Sequence, residues 1–176
     1  MTSEIRVPFQ GTQIILRPGE GWGLGDHETT QLCLQALAVF APRQAGFRVL
    51  DFGSGSGILS IAAAKLGAQV EAIEIDVEAI LNAQENAGLN GVESAIQCSR
   101  EFQGAPGSFE VVVANILRPV LLQFASELVA CMTPRGTLIL SGLVSTDIPE
   151  LTVRYSALLK GAQPEVYSRG EWRALV

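Results

Sequence analysis

Five residues, Gly53-Ser54-Gly55-Ser56-Gly57, constrain this chain more than any others. They follow the apolar run VLDF at 49–52 and precede ILSIAAAKL at 58–66, so the segment reads as a strand, a glycine-rich turn and a helix. Glycines there permit positive φ and a close backbone approach, and the helix N-terminus offers free N–H groups to a negative or polar ligand. The turn therefore reads as a cofactor loop, against the alternative of a tight turn with no ligand. Its spacing excludes the two commonest nucleotide loops. A dinucleotide loop, GxGxxG, needs glycine where Ile58 stands, and a GxxxxGK[ST] loop needs a lysine after Gly57, whereas the only lysines are Lys65 and Lys160.

The rest of the chain is organised around that unit. Apolar, β-branched runs at 48–52, 69–75, 95–98, 109–115 and 136–143 read as short strands, several of them continuously apolar as buried parallel strands are. Helical patterns fill the intervals at 59–66, 77–90, 119–132 and 149–160, and another covers 29–40 ahead of the first strand. Strand and helix alternate, which predicts an α/β fold: βαβ crossovers, a mostly parallel sheet, helices on both faces, and a ligand beyond the carboxyl ends of the strands. The tail differs. Segments 165–167 and 172–176, separated by Ser168-Arg169-Gly170-Glu171, suit a hairpin and an antiparallel edge strand.

With 176 residues, 48% apolar and 17% charged, the chain is expected to be one domain over 1–176, with 1–18 as an N-terminal extension and 19–30 as a glycine-rich loop. The net charge of −6 argues against grip on a phosphate backbone or an anionic lipid surface, so neither nucleic acid nor membrane is expected as partner. Cys33, Cys98 and Cys131 follow no metal or disulfide spacing and read as buried thiols of a cytoplasmic protein. His27 is the only histidine, so histidine-based metal sites and Ser-His-Asp hydrolysis fall away and no metal is expected.

An acidic residue after the second strand is the usual companion of such a loop, accepting from two ribose hydroxyls. Glu74 is placed for this and is preferred to Asp76, which can instead cap the helix that begins at Val77. Asp51, at the end of the first strand, would face an amino group of the ligand. Asn115 ends an apolar strand at the same sheet edge, where a polar amide must find partners or line a site. Trp22 is either a core aromatic or a lid over the ligand, and His27 either a loop or capping residue or part of that lid.

VLDFGSGSG followed by EAIEID resembles the class I S-adenosylmethionine-dependent methyltransferases. Residues 18–30, PGEGWGLGDHETT, are similar to the PGMAFGTGHHETT signature of the PrmA family, the ribosomal protein L11 lysine methyltransferases. Asn115-Ile116-Leu117 is similar to that family's Asn-Leu-Tyr motif, and Gly170-Glu171-Trp172 also matches. The resemblance runs from Leu16 to the C-terminus. It implies a Rossmann-like fold with a seven-stranded, mostly parallel sheet, and S-adenosyl-L-methionine as cofactor. Gly53, Ser54, Gly55 and Gly57 would then pack on its methionine moiety with Asp51, Glu74 would hold the ribose beside Ile75, and Ser99 would lie near the adenine. Trp22, Leu24 and His27 would fold over the methionine end, and Asn115, in contact with cofactor and acceptor, would be the catalytic residue. Leu24 stands where the family has threonine and Asp26 where it has its first histidine, so a hydroxyl contact is lost. Only about 18 residues precede the signature, so the resemblance implies a chain without the family's N-terminal substrate-recognition domain.

The function expected is methylation of an amine, a protein lysine or α-amine, with a protein substrate such as a ribosomal protein. A small-molecule or nucleic-acid methyltransferase is the first alternative, but the residues after Asn115 are Ile116-Leu117-Arg118 and not the Asn-Pro-Pro motif of nucleobase enzymes. A non-catalytic S-adenosylmethionine-binding regulatory module is the second.

Overall fold

The computed structural model describes residues 4–19 and 23–176. Seven strands form one sheet in the order β5-β4-β3-β6-β7-β9-β8, with β3 Arg48–Phe52, β4 Gln69–Ile73, β5 Ile96–Ser99, β6 Phe109–Asn115, β7 Met132–Val144, β8 Val166–Arg169 and β9 Trp172–Leu175. β3 to β7 pair in parallel, and β9 is antiparallel to both β7 and β8. The parallel α/β sheet with an antiparallel C-terminal strand is thus present. The terminal turn is tighter than the sequence suggests, because Arg169 pairs with Trp172 and leaves only Gly170-Glu171 between the strands.

Strand alternation divides the core. Val49, Val111, Val113 and Ile139 point to one face, against helices α1 Glu28–Phe40 and α2 Ile58–Lys65. Leu50, Val112, Ala114, Leu138 and Leu140 point to the other. There they meet α4 Arg118–Gln123, α5 Ala125–Ala130 and α6 Ile148–Leu158, whose Tyr155 donates to the Leu121 carbonyl at 2.7 Å. α3, Val77–Leu89, buries a stripe of small residues, Ala79, Ala83 and Ala87, which lets it lie close to α2.

One expectation is corrected here. The stretch 119–132 is not one helix: α4 stops at Phe124, whose ring packs 5.1 Å from that of Phe52, and α5 stops at Ala130. Met132 is already a strand residue, paired with Phe109, and the register shift between Phe109 and Val111 absorbs Pro134 in a bulge, where its missing N–H leaves no ladder bond unmade. Within the N-terminal extension, described residues are ordered into strands. β1 Ile5–Phe9 and β2 Thr12–Leu16 form a separate antiparallel hairpin that buries Val7, Phe9, Ile14 and Leu16 in the core of the α1–α2 face. No helix among the described residues is long and apolar enough to cross a membrane.

Candidate functional site

The glycine loop leaves β3 at Phe52 and is fastened to the end of the neighbouring strand. Gly53 and Ser54 both donate their N–H to the Ile73 carbonyl, at 2.8 and 3.0 Å, and Gly57 N–H turns back to the Ser54 carbonyl at 2.9 Å. Gly53 has φ +82°, and a Cβ there would collide with the Ile116 side chain, so any other residue would push the loop away from the segment after Asn115.

Glu74 follows β4 and is half-buried. One carboxylate oxygen accepts the Gly55 N–H at 3.0 Å, and the other accepts the N–H groups of Ile75 and Asp76, at 2.8 and 3.1 Å. Its own N–H donates to the Ser99 carbonyl at 3.0 Å. One side chain therefore joins the loop after β3, the turn after β4 and, through the backbone, β5. Asp76 does what its position allows: it N-caps α3, accepting from Glu78 N–H at 2.9 Å. Ile75 beside it is 76% exposed, an apolar side chain in solvent at the sheet's carboxyl edge. Ser99 is the last residue of β5, not a residue beyond it, and its hydroxyl closes a local turn with the Glu101 backbone.

Asp51 lies in β3 on the face that carries Val49, opposite Val113 of β6. It is fully buried, and Ser60 of α2 donates to one carboxylate oxygen at 2.6 Å. The other oxygen has no partner among the described residues, and neither does the buried Ser54 hydroxyl. Burial pushes the Asp51 carboxyl up to about 6, the Ser60 bond opposes this, and the nearby Glu74 charge adds to it. Asn115, two residues beyond Val113, returns to the same face by strand alternation, so Asp51, the glycine loop and Asn115 converge at the adjacent ends of β3 and β6. The sequence order of pairing reverses there, β4 lying to one side of β3 and β6 to the other, which is the switch point where α/β sheets hold ligands.

Among the signature residues, Leu24 is half-buried in the loop before α1. His27 is the N-cap of α1: its Nδ1 accepts from Thr29 N–H at 3.3 Å, and its ring meets Trp172 edge-on at 4.8 Å. That is the capping role, with the C-terminal hairpin as its support. Trp22 lies outside the described residues. The three cysteines divide, Cys33 and Cys131 buried and Cys98 only half-buried, so the expectation of three buried thiols fails at Cys98, which lies in the edge strand β5. Sequence reasoning missed the asparagines of α3, whose four-residue spacing at 82, 86 and 90 was the available signal.

The arrangement is a glycine-rich sheet edge with a held carboxylate, an unsatisfied buried carboxylate oxygen and a strand-end amide. A T. thermophilus 16S rRNA N2 methyltransferase in complex with AdoMet and guanosine superposes with TM-score 0.76 at 22% identity, covering 98% of this chain and 49% of that one, a likeness of fold alone. A ribosomal protein L11 methylase from Lactobacillus delbrueckii subsp. bulgaricus superposes with TM-score 0.80 at 35% identity, covering 96% of this chain and 86% of that one. Curated ribosomal protein L11 methyltransferases of Citrifermentans bemidjiense and Geobacter sulfurreducens are 44% and 43% identical to 99% of this chain. The chain spans 58% of each of them, little more than half their length. The sequence profile of the family described as ribosomal protein L11 methyltransferase (PrmA) matches residues 4–176, and the chain belongs to that family.

Proposed function

We propose that the chain is an S-adenosyl-L-methionine-dependent N-methyltransferase of the cytoplasm whose acceptor is an amino group of a protein, ribosomal protein L11 in the first instance. The observation that carries this reading is the convergence of the Glu74-held glycine loop, the half-satisfied Asp51 carboxylate and Asn115 at one switch point.

The residues fit that cofactor. The unpartnered Asp51 oxygen and the Ser54 hydroxyl would take up a cationic amino-acid headgroup, which supplies the missing partner and favours the ionised carboxylate. Glu74 has both oxygens at the loop surface and would accept from a ribose diol, while the exposed Ile75 would cover an adenine face. When bound, the cofactor supplies a methyl group activated on a sulfonium. What remains for the chain is alignment and exclusion of water. An Asn115 carbonyl oxygen would accept an N–H of the incoming amine, which turns the nitrogen lone pair toward the reacting carbon. The same acceptor selects the neutral amine poorly by itself, so the apolar lip formed by Ile116 and Leu117, the latter 71% exposed, would favour the uncharged form by desolvation.

Transfer of radiolabelled methyl from S-adenosylmethionine to purified L11 tests this directly. The expected outcome is labelled L11 with the wild-type chain and, with Asn115→Ala, turnover lower by about 100-fold at an almost unchanged cofactor Kd. Unlabelled L11 beside another labelled protein in extract would move the acceptor, and near-normal turnover of Asn115→Ala would remove Asn115 from the reaction.

A further inference from the structure

Asn82 and Asn86 of α3 and its C-cap Asn90 stand four residues apart, along one side of the helix. Four helical residues rise about 6 Å and two strand residues about 6.8 Å, so amides at this spacing match every second residue of an extended chain laid alongside. The described residues make the first two matches. Asn90 accepts the Ile15 N–H at 3.0 Å and donates to the Ile15 carbonyl at 2.6 Å. Asn86 accepts the Arg17 N–H at 2.7 Å, and Asn82 donates to the Arg17 carbonyl at 3.0 Å. These bonds hold the chain at Ile15 of β2 and at Arg17 just beyond it, on the side that faces away from β1.

By that register the next position along the chain, Gly19, comes alongside Asn82. Asn82 is buried, and its Oδ1 has no partner among the described residues. The backbone of Gly19 lies against it, since a Cβ at Gly19 would stand 2.6 Å from the Asn82 amide carbon. The same helix face holds the cofactor loop: Asn86 donates to the Ser56 carbonyl at 3.0 Å, and a Cβ at Gly57 would stand 3.0 Å from that of Ala83. The far end of the signature segment is tied to that loop as well, through the Ser56 hydroxyl and the Gly23 carbonyl.

We propose that Asn82 is a positioning residue for cofactor binding: its buried amide, holding the Arg17 carbonyl and lying against the Gly19 backbone, sets the two described ends of the signature segment, Gly19 and Gly23, against the glycine loop. The inference rests on the cofactor reading above. It makes α3, through Asn82 and Asn86, the common support of both loops around the cofactor.

Calorimetric titration of S-adenosylmethionine, paired with thermal melts, tests it in four variants. Asn82→Ala raises the cofactor Kd about fivefold to tenfold, the value of one buried hydrogen bond, with a small change in Tm. Asn90→Ala, which clamps β2 two rungs away, shows the reverse: a larger loss of Tm and a Kd within about twofold of wild type. Gly19→Ala displaces the Asn82 amide and weakens binding as Asn82→Ala does, and the double variant is no weaker than Asn82→Ala alone, because the new methyl enters the space the amide left. If Asn82→Ala does not fold, Gly19→Ala alone decides the matter. Wild-type affinity in Asn82→Ala or in Gly19→Ala, or an equal loss in Asn90→Ala, overturns the proposal. A wild-type chain that binds no S-adenosylmethionine overturns the cofactor reading itself, and this inference with it.

Discussion

Glu74 and Asp76 are two carboxylates two residues apart with unlike tasks, and the difference lies in what their oxygens already hold. Glu74 bonds Gly55, Ile75 and Asp76, so it shapes the loop proposed to hold the cofactor, whereas Asp76 is committed to the first turn of α3. Glu74→Ala is expected to weaken S-adenosylmethionine binding by about tenfold or more, as loss of a charged acceptor does. Asp76→Ala should instead cost about 1 kcal/mol of stability, the value of a helix cap, with little change in Kd. Calorimetry and melts on the two variants separate these outcomes, and a larger binding loss at Asp76 reverses the assignment. Asp51 titrates in a useful range. Its carboxyl is pushed up to about 6 in the folded chain by burial, against an ordinary value of 3.8. Between those pH values the folded chain holds a proton that the unfolded chain has released, so its contribution to stability falls as pH rises through the window and is level above it. A cation beside Asp51 needs the ionised form, so affinity for S-adenosylmethionine rises from pH 5 to 7. Asp51→Asn flattens both profiles, and an unchanged affinity profile in that variant would place the titration elsewhere.

At the scale of elements, the N-terminal hairpin is the least expected and the best integrated. Ile14 and Leu16 are fully buried among residues of α1, α2 and β3, and amides of Asn90 and Asn86 bond the backbone of Ile15 and Arg17 on the side of β2 away from β1. A hairpin of two five-residue strands is marginal alone and is here stabilised by what it packs on. Leu16→Ala should therefore destabilise the whole chain by about 2–5 kcal/mol, as removal of a core leucine does, and in a single transition. A separate early transition of the hairpin in circular dichroism or hydrogen exchange would show it to be an appendage. α4 and α5 illustrate the opposite case. Their sequence reads as one helix, yet the Phe52–Phe124 contact and the Met132–Phe109 pairing offer more than two continued turns would.

Over the whole molecule, the sheet sets both the site and the protection of the core. Burial pushes the Cys33 thiol up to about 12 and that of Cys131 up to about 11, and it raises Cys98 as well, with the Asp51 charge adding to that shift. All three are poor nucleophiles at neutral pH, but only Cys98, on edge strand β5, is partly open to solvent. A thiol-alkylating reagent at pH 7 should therefore modify Cys98 slowly in the native chain, and Cys33 and Cys131 only with global unfolding. Mass spectrometry of a labelling time course checks the order, and early modification of Cys33 would mean that the α1 face opens by itself.

The sequence by itself determined the strand–glycine turn–helix unit, the α/β alternation, the exclusion of the two common nucleotide loops and the candidates Asp51, Glu74 and Asn115. These are local matters: periodicity, glycine chemistry and the residue at a strand's end are fixed within a few positions of chain. Only the tertiary structure decided that β3 lies between β4 and β6, which brings Asn115 and Asp51 to one face although they are far apart in sequence. It also made His27 a cap resting on Trp172, split residues 119–132, turned residues 5–16 into a packed hairpin and paired the asparagines of α3 with the backbone of β2. Each of these depends on which surfaces meet across the core. Strand order, burial and long-range hydrogen bonds arise from that meeting, and no periodicity within a single segment encodes it.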